Sequence, residues 1–85
     1  MKRTYYLVVK LNNKINSKDV TKKIVNTQYL TSKTWAFKYF NDENDRMLRS
    51  EKEKVTTEIW YVTETENKTN IEVLKSTKKT LDKVA

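Results

Sequence analysis

The chain has 85 residues, carries 18 Lys and Arg against 11 Asp and Glu for a formal net charge of +7, and contains no glycine, proline, cysteine or histidine. Without glycine it has no backbone for a phosphate-cradling P-loop or a dinucleotide fingerprint, both of which need unusual φ or close approach to a phosphate. Without Cys or His it has no zinc, iron–sulfur or haem site built on those ligands, and no thiol or Ser–His nucleophile.

Residues 4–11 (TYYLVVKL) form the clearest strand, with Tyr5, Leu7, Val9 and Leu11 on one face and Tyr6 and Val8 on the other. A strand that is apolar on both faces belongs in the middle of a sheet. Asn12 and Asn13 are expected to end it in a turn, since Asn and Asp must supply any left-handed backbone when glycine is missing. Residues 17–29 (SKDVTKKIVNTQY) read as a short amphipathic helix capped by Asn16 or Ser17, with Asp19 near its positive end and Val20 and Ile24 inward.

Residues 33–40 (KTWAFKYF) admit two readings. As a strand, they place Lys33, Trp35, Phe37 and Tyr39 on one face. As a helix opened by Ser32, they run on to about Ser50 with Phe37, Phe40, Met47 and Leu48 inward. The strand is preferred, because aromatics favour it and the run from Asn41 to Asp45 is a turn signal. Residues 55–64 and 70–75 pair as a hairpin through the polar connection 66–69, and residues 76–84 suit a final helix capped by Ser76. Of the adjacent Trp60 and Tyr61, one is expected to be buried and the other to serve as an exposed anchor.

These elements predict one α+β domain over residues 1–85. It has a small antiparallel sheet of three or four strands with one or two short helices, in the order β-α-β-β-β-α. Leu, Ile, Val and Phe together number 20, a share a little above the roughly 20% below which chains tend to stay disordered. The core is therefore expected to be thin, and pairing into a homodimer or docking on a partner would bury more surface. The longest apolar run, Tyr5 to Val9, is too short for a signal peptide or a membrane span. A cytoplasmic location with no membrane partner is expected.

Charge is unevenly spread. Residues 1–33 carry +7, residues 34–66 carry −3 and residues 67–85 carry +3. Lys2, Arg3, Lys18, Lys22, Lys23 and Lys33 are the candidate phosphate contacts, with Lys75, Lys78, Lys79 and Lys83 as further cations. Only three of the 18 cations are arginine, which argues against fine base readout, where bidentate Arg is favoured.

The segment from Lys33 to Phe40 resembles the RNP1 pattern of RNA-recognition motifs at Lys33, Ala36, Phe37 and Phe40. It departs from that pattern at Thr34 and Lys38, and the spacing leaves no room for that family's intervening strand, so no membership is assigned. A sheet face carrying Trp35, Phe37 and Tyr39 would stack bases, while the competing reading packs these rings in the core. Asp42, Asn44 and Glu53 match three positions of a calcium loop, but Arg46 and Met47 stand where a ligand and a glycine belong, so no metal and no cofactor are expected.

With the usual activated groups missing, a non-enzymatic binding protein is expected. The excess of Lys over Arg and the abundance of Asn fit an AT-rich genome, such as that of a phage or mobile element. The leading expectation is a nucleic-acid-associated accessory or regulatory protein. The alternative is a protein-binding inhibitor or modulator, directed at a host factor or a defence system, that acts by surface contact.

Overall fold

The strand expected over residues 4–11 is β1 (Arg3–Asn12), and it lies inside the sheet as its two apolar faces require. The structure, a computed structural model, describes residues 2–77. After β1 come a single 3-10 turn (Val20–Lys23), β2 (Ile24–Leu30), α1 (Lys33–Arg46), α2 (Arg49–Lys54), β3 (Val55–Glu64) and β4 (Thr69–Ser76). The sheet is antiparallel in the order β2-β1-β3-β4, and the fold is α+β. β2 and β3 flank β1, so the helical segment crosses over β1 to join them.

Register fixes the two faces, because paired residues of neighbouring strands point the same way. Tyr6 and Val8 align with Leu30 and Gln28 on one side and with Tyr61 and Ile59 on the other. This face lies under α1, whose Ala36 and Phe40 are buried against Val8 and Ile59. On the opposite face Val9, Leu11, Trp60 and Val62 form a second buried cluster, edged by Tyr5, Leu7 and Ile24. Trp60 is thus the buried member of its pair, while Tyr61 is half-buried with its ring 5.0 Å from that of Tyr6.

Two expected elements change type. Residues 17–29 are not a helix: only the 3-10 turn forms, capped by Asp19 rather than by Asn16 or Ser17, and β2 follows. The β-branched residues Val20, Thr21, Ile24, Val25 and Thr27 disfavour a helix here, and β1 needs a partner on its second edge. Residues 33–40 are not a strand: they open α1, with the Ser32 hydroxyl accepting from the Trp35 N–H. The run from Asn41 to Asp45 completes that helix instead of turning. α1 stops at Arg46 rather than near Ser50, because Met47 and Leu48 are extended, and Leu48 is solvent-exposed. A helix from this segment buries Ala36 and Phe40 over the sheet, whereas another strand would leave that face bare.

The expected hairpin is present as β3 and β4, joined through residues 65–68, where Thr65 and Lys68 bond to each other. Ser76 ends β4, and the remainder of the expected final helix falls outside the described residues apart from Thr77. No described residue has positive φ. Asn12 therefore turns the chain without a left-handed conformation, its side-chain oxygen accepting from the Lys14 N–H at 2.9 Å.

The Lys10 ammonium donates to the Glu43 carboxylate at 2.9 Å and so ties α1 to β1, with both side chains largely covered. This hydrogen bond, aided by the charges of Lys10 and Arg46, holds the Glu43 carboxyl below its ordinary range. A depressed folded-state value means that the contribution is complete at neutral pH and fades as pH falls through that value. Melting temperature should therefore drop between pH 6 and pH 3, and Glu43→Gln should flatten that drop. A second expectation concerns the core. Ile59 is fully buried whereas Val25, left unpaired at the β1–β2 bulge, is 62% exposed. Ile59→Ala should cost about 2–5 kcal/mol in urea denaturation, and Val25→Ala no more than about 0.5 kcal/mol.

Candidate functional site

β1 separates the cations that the sequence grouped together. Lys2 and Arg3 stand at its start, near the first turn of α1 where Lys33 sits. Lys18, Lys22 and Lys23 lie on the connection that leaves its far end, about 30 Å away by strand rise. Arg3 is also engaged locally. Its guanidinium lies 5.4 Å from the Tyr5 ring centroid, and a hydrogen bond with Tyr29, more than any other influence, raises its pKa further. Tyr5 in turn bonds Glu64, which raises its phenol pKa, and stacks at 5.1 Å on Tyr29.

The aromatic residues do not share a platform. Trp35 lies on the solvent side of α1, 58% exposed, with Lys38 Nζ 4.9 Å from its ring centroid. Phe37 and Tyr39 are half-buried and pack against the cluster beneath the helix. The resemblance to RNP1 ends here, since that pattern requires a strand. Asp42 and Asn44 belong to α1 and Glu53 to α2, so the calcium-loop spacing does not fall on a loop. Among the described residues no group of three or more acidic side chains could hold a metal ion.

The far end of the sheet does gather functional groups. Asn13 is its hub. The Asn13 backbone N–H donates to Lys54 O at 2.8 Å, its Nδ2 donates to Glu53 O at 3.3 Å, and its Oδ1 accepts from Thr56 Oγ1 at 2.6 Å. These bonds fasten the lysine-bearing β1–β2 connection to the start of β3 and to the end of α2. Arg49, Lys52 and Glu53 occupy positions i, i+3 and i+4 of α2, one face of that short helix. That face borders a cleft of ≈ 670 Å³, closed on its other sides by Phe40, Asn41 and Asn44 of α1 and by Lys75 at the end of β4.

Lys75 reaches this wall from the end of β4. Its Nζ sits 5.1 Å from the Phe40 ring centroid. The strand end that carries it is pinned to β3: Ser76 Oγ donates to Glu58 at 2.9 Å, Glu58 also accepts from Trp60 Nε1, and Thr77 and Thr57 exchange two bonds of 3.0 Å. Glu53 is the one carboxylate among the described lining residues, against three cations. On the other side of the Asn13–Thr56 bond a smaller recess of ≈ 150 Å³ is lined by Leu11, Val20, Lys23 and Glu58. Lys23 on this side is therefore accompanied by one carboxylate, Glu58.

Of the cleft residues, the sequence singles out only Lys75 as a candidate cation, and the run from Asn41 to Asp45 reads there as a turn signal. The i, i+3 spacings of Arg49 with Lys52 and of Asn41 with Asn44 were the available signal, and they acquire meaning only once both segments are helical.

The Asn13–Thr56 bond sets how this end is joined. Asn13→Ala and Thr56→Val should each lower stability by about 1 kcal/mol in urea denaturation. The double variant should cost clearly less than the sum, giving a coupling above about 0.5 kcal/mol; strict additivity would show that the bond is idle. No helix among the described residues is long and apolar enough to cross a membrane. Comparison with protein-family models, with curated proteins and with solved structures finds no match.

Proposed function

We propose that this chain is a non-enzymatic binding protein whose basic end grips the phosphate backbone of a nucleic acid, in an accessory or regulatory role suited to a phage or mobile element. The observation that carries the reading is the far end of the sheet, where the β1–β2 connection bears Lys18, Lys22 and Lys23 and a separate cleft on the α1 side bears Arg49, Lys52 and Lys75. Cations held on one end act together on a polyanion: each phosphate neutralised releases counterions, and affinity depends steeply on salt. The absence of His and Cys supports a role without catalysis.

Retention on single- and double-stranded DNA and RNA at rising salt tests this. Binding should be clear at low salt and fall steeply, and replacing Lys18, Lys22 and Lys23 by Glu should weaken it on every sequence. Each lysine removed should reduce the slope of log affinity against log salt by about 1. Lys2→Glu with Lys33→Glu, at the opposite end, should change little. Affinity that is absent at low salt or indifferent to salt overturns the reading.

A second reading has its own observation. Trp35 is an exposed ring on the outer side of α1, next to Lys38 and in the same helix as Asp42 and Asp45, which is the composition of a protein-contact anchor. A modulator of a host protein would use such a surface. Capture of a stoichiometric protein partner that survives nuclease treatment and is lost in Trp35→Ala would favour it.

A further inference from the structure

The cleft between α1, α2 and the end of β4 has a shape and a set of side chains that a plain phosphate-gripping surface does not need. Three features stand together there. Arg49 and Lys52 project from one face of α2 and Lys75 from the strand opposite, so positive charge borders the cleft on two sides. The Lys75 Nζ lies 5.1 Å from the Phe40 ring centroid, which brings its charge to the cleft wall. Asn41 and Asn44 line the α1 wall, and among the described residues neither side chain amide has a hydrogen-bond partner. An amide offers both donors and an acceptor, the complement of a base edge.

Resting on the reading that this end binds nucleic acid, we propose that the cleft receives one unpaired nucleotide of a single strand, its phosphate held by Arg49, Lys52 and Lys75 and its base edge by Asn41 and Asn44. A volume of ≈ 670 Å³ suits a ligand of that size. A base in a duplex is stacked and paired, so a duplex would meet only the rim of the cleft. Unpaired bases in a single strand are free to turn into it and present their edges. The base edge would be read by neutral amides, and the charged residues would add salt-dependent affinity without sequence preference.

The test compares the full chain and two double variants, Arg49→Ala/Lys52→Ala and Asn41→Ala/Asn44→Ala, each shown to be folded by circular dichroism. Binding of short single-stranded DNA and RNA homopolymers, and of a duplex of matched length, is followed by fluorescence anisotropy. Backbone amide shifts report the contact surface. Single strands should bind at least about tenfold more tightly than the duplex, with the largest shifts at residues 40–44, 49–53 and 75–77. The Arg49→Ala/Lys52→Ala variant should lose about tenfold on single strands together with part of the salt slope. The Asn41→Ala/Asn44→Ala variant should narrow the differences between homopolymers and leave the slope in place.

Equal affinity for duplex and single strand overturns the proposal, as does single-strand binding that ignores both cleft variants. If Lys22→Ala/Lys23→Ala still abolishes binding in that case, the basic end keeps its role and the cleft alone is removed. A chain that binds no nucleic acid under any of these conditions removes both.

Discussion

A strand that is apolar on both faces, in a chain this short, governs the architecture. β1 carries Tyr6 and Val8 toward one side and Leu7, Val9 and Leu11 toward the other, and each set must leave water. Both edges of such a strand need hydrogen-bond partners, which draws Ile24–Leu30 and Val55–Glu64 alongside it. One face then needs a covering layer, and Lys33–Arg46 becomes a helix that lays Ala36 and Phe40 on Val8 and Ile59. The other face is built from the sheet's own large side chains, Trp60 above all. Two small clusters replace one large core, in keeping with the scarcity of aliphatic residues.

The absence of glycine shapes the connections. No described residue adopts a left-handed conformation, so side chains make the turns. Asn12 closes the end of β1, Asp19 caps the 3-10 turn, Ser32 opens α1, and the Thr65 hydroxyl bonds across the hairpin loop. The β1–β2 connection, residues 13–23, carries Lys14, Lys18, Lys22 and Lys23 at this end of the sheet. Asn13 then joins this connection to the junction of α2 and β3.

The basic residues divide by what they do locally. Lys10 serves the fold through Glu43, Arg3 is occupied by Tyr29 and Tyr5, and Lys38 lies over Trp35. Arg49 and Lys52 border the cleft without a partner among the described residues, and Lys75, though seated on Phe40, makes no described ion pair. Net charge alone conceals this division. Cations with no described ion pair stand at both ends of the sheet, Lys2 and Lys33 toward the chain start and Arg49, Lys52 and Lys75 at the other end.

The sequence by itself determined the central strand, the β3–β4 hairpin, the α+β class and the burial of one residue of the Trp60–Tyr61 pair. Each of these rests on alternation or on a turn signal, which are local properties. Tertiary structure decided residues 17–29 and 33–40, where local pattern fits helix and strand about equally. Ile24 and Leu30 pair with β1 because β1 has an edge to fill, and the aromatic segment is helical because a sheet face needs cover. The candidate site followed from that decision. Arg49 and Lys52 share a side only once residues 49–54 are helical, and they meet Asn41, Asn44 and Lys75 only after the crossover has been laid across the sheet. Charge at separate points in a sequence acquires a position only when packing has fixed the elements that carry it.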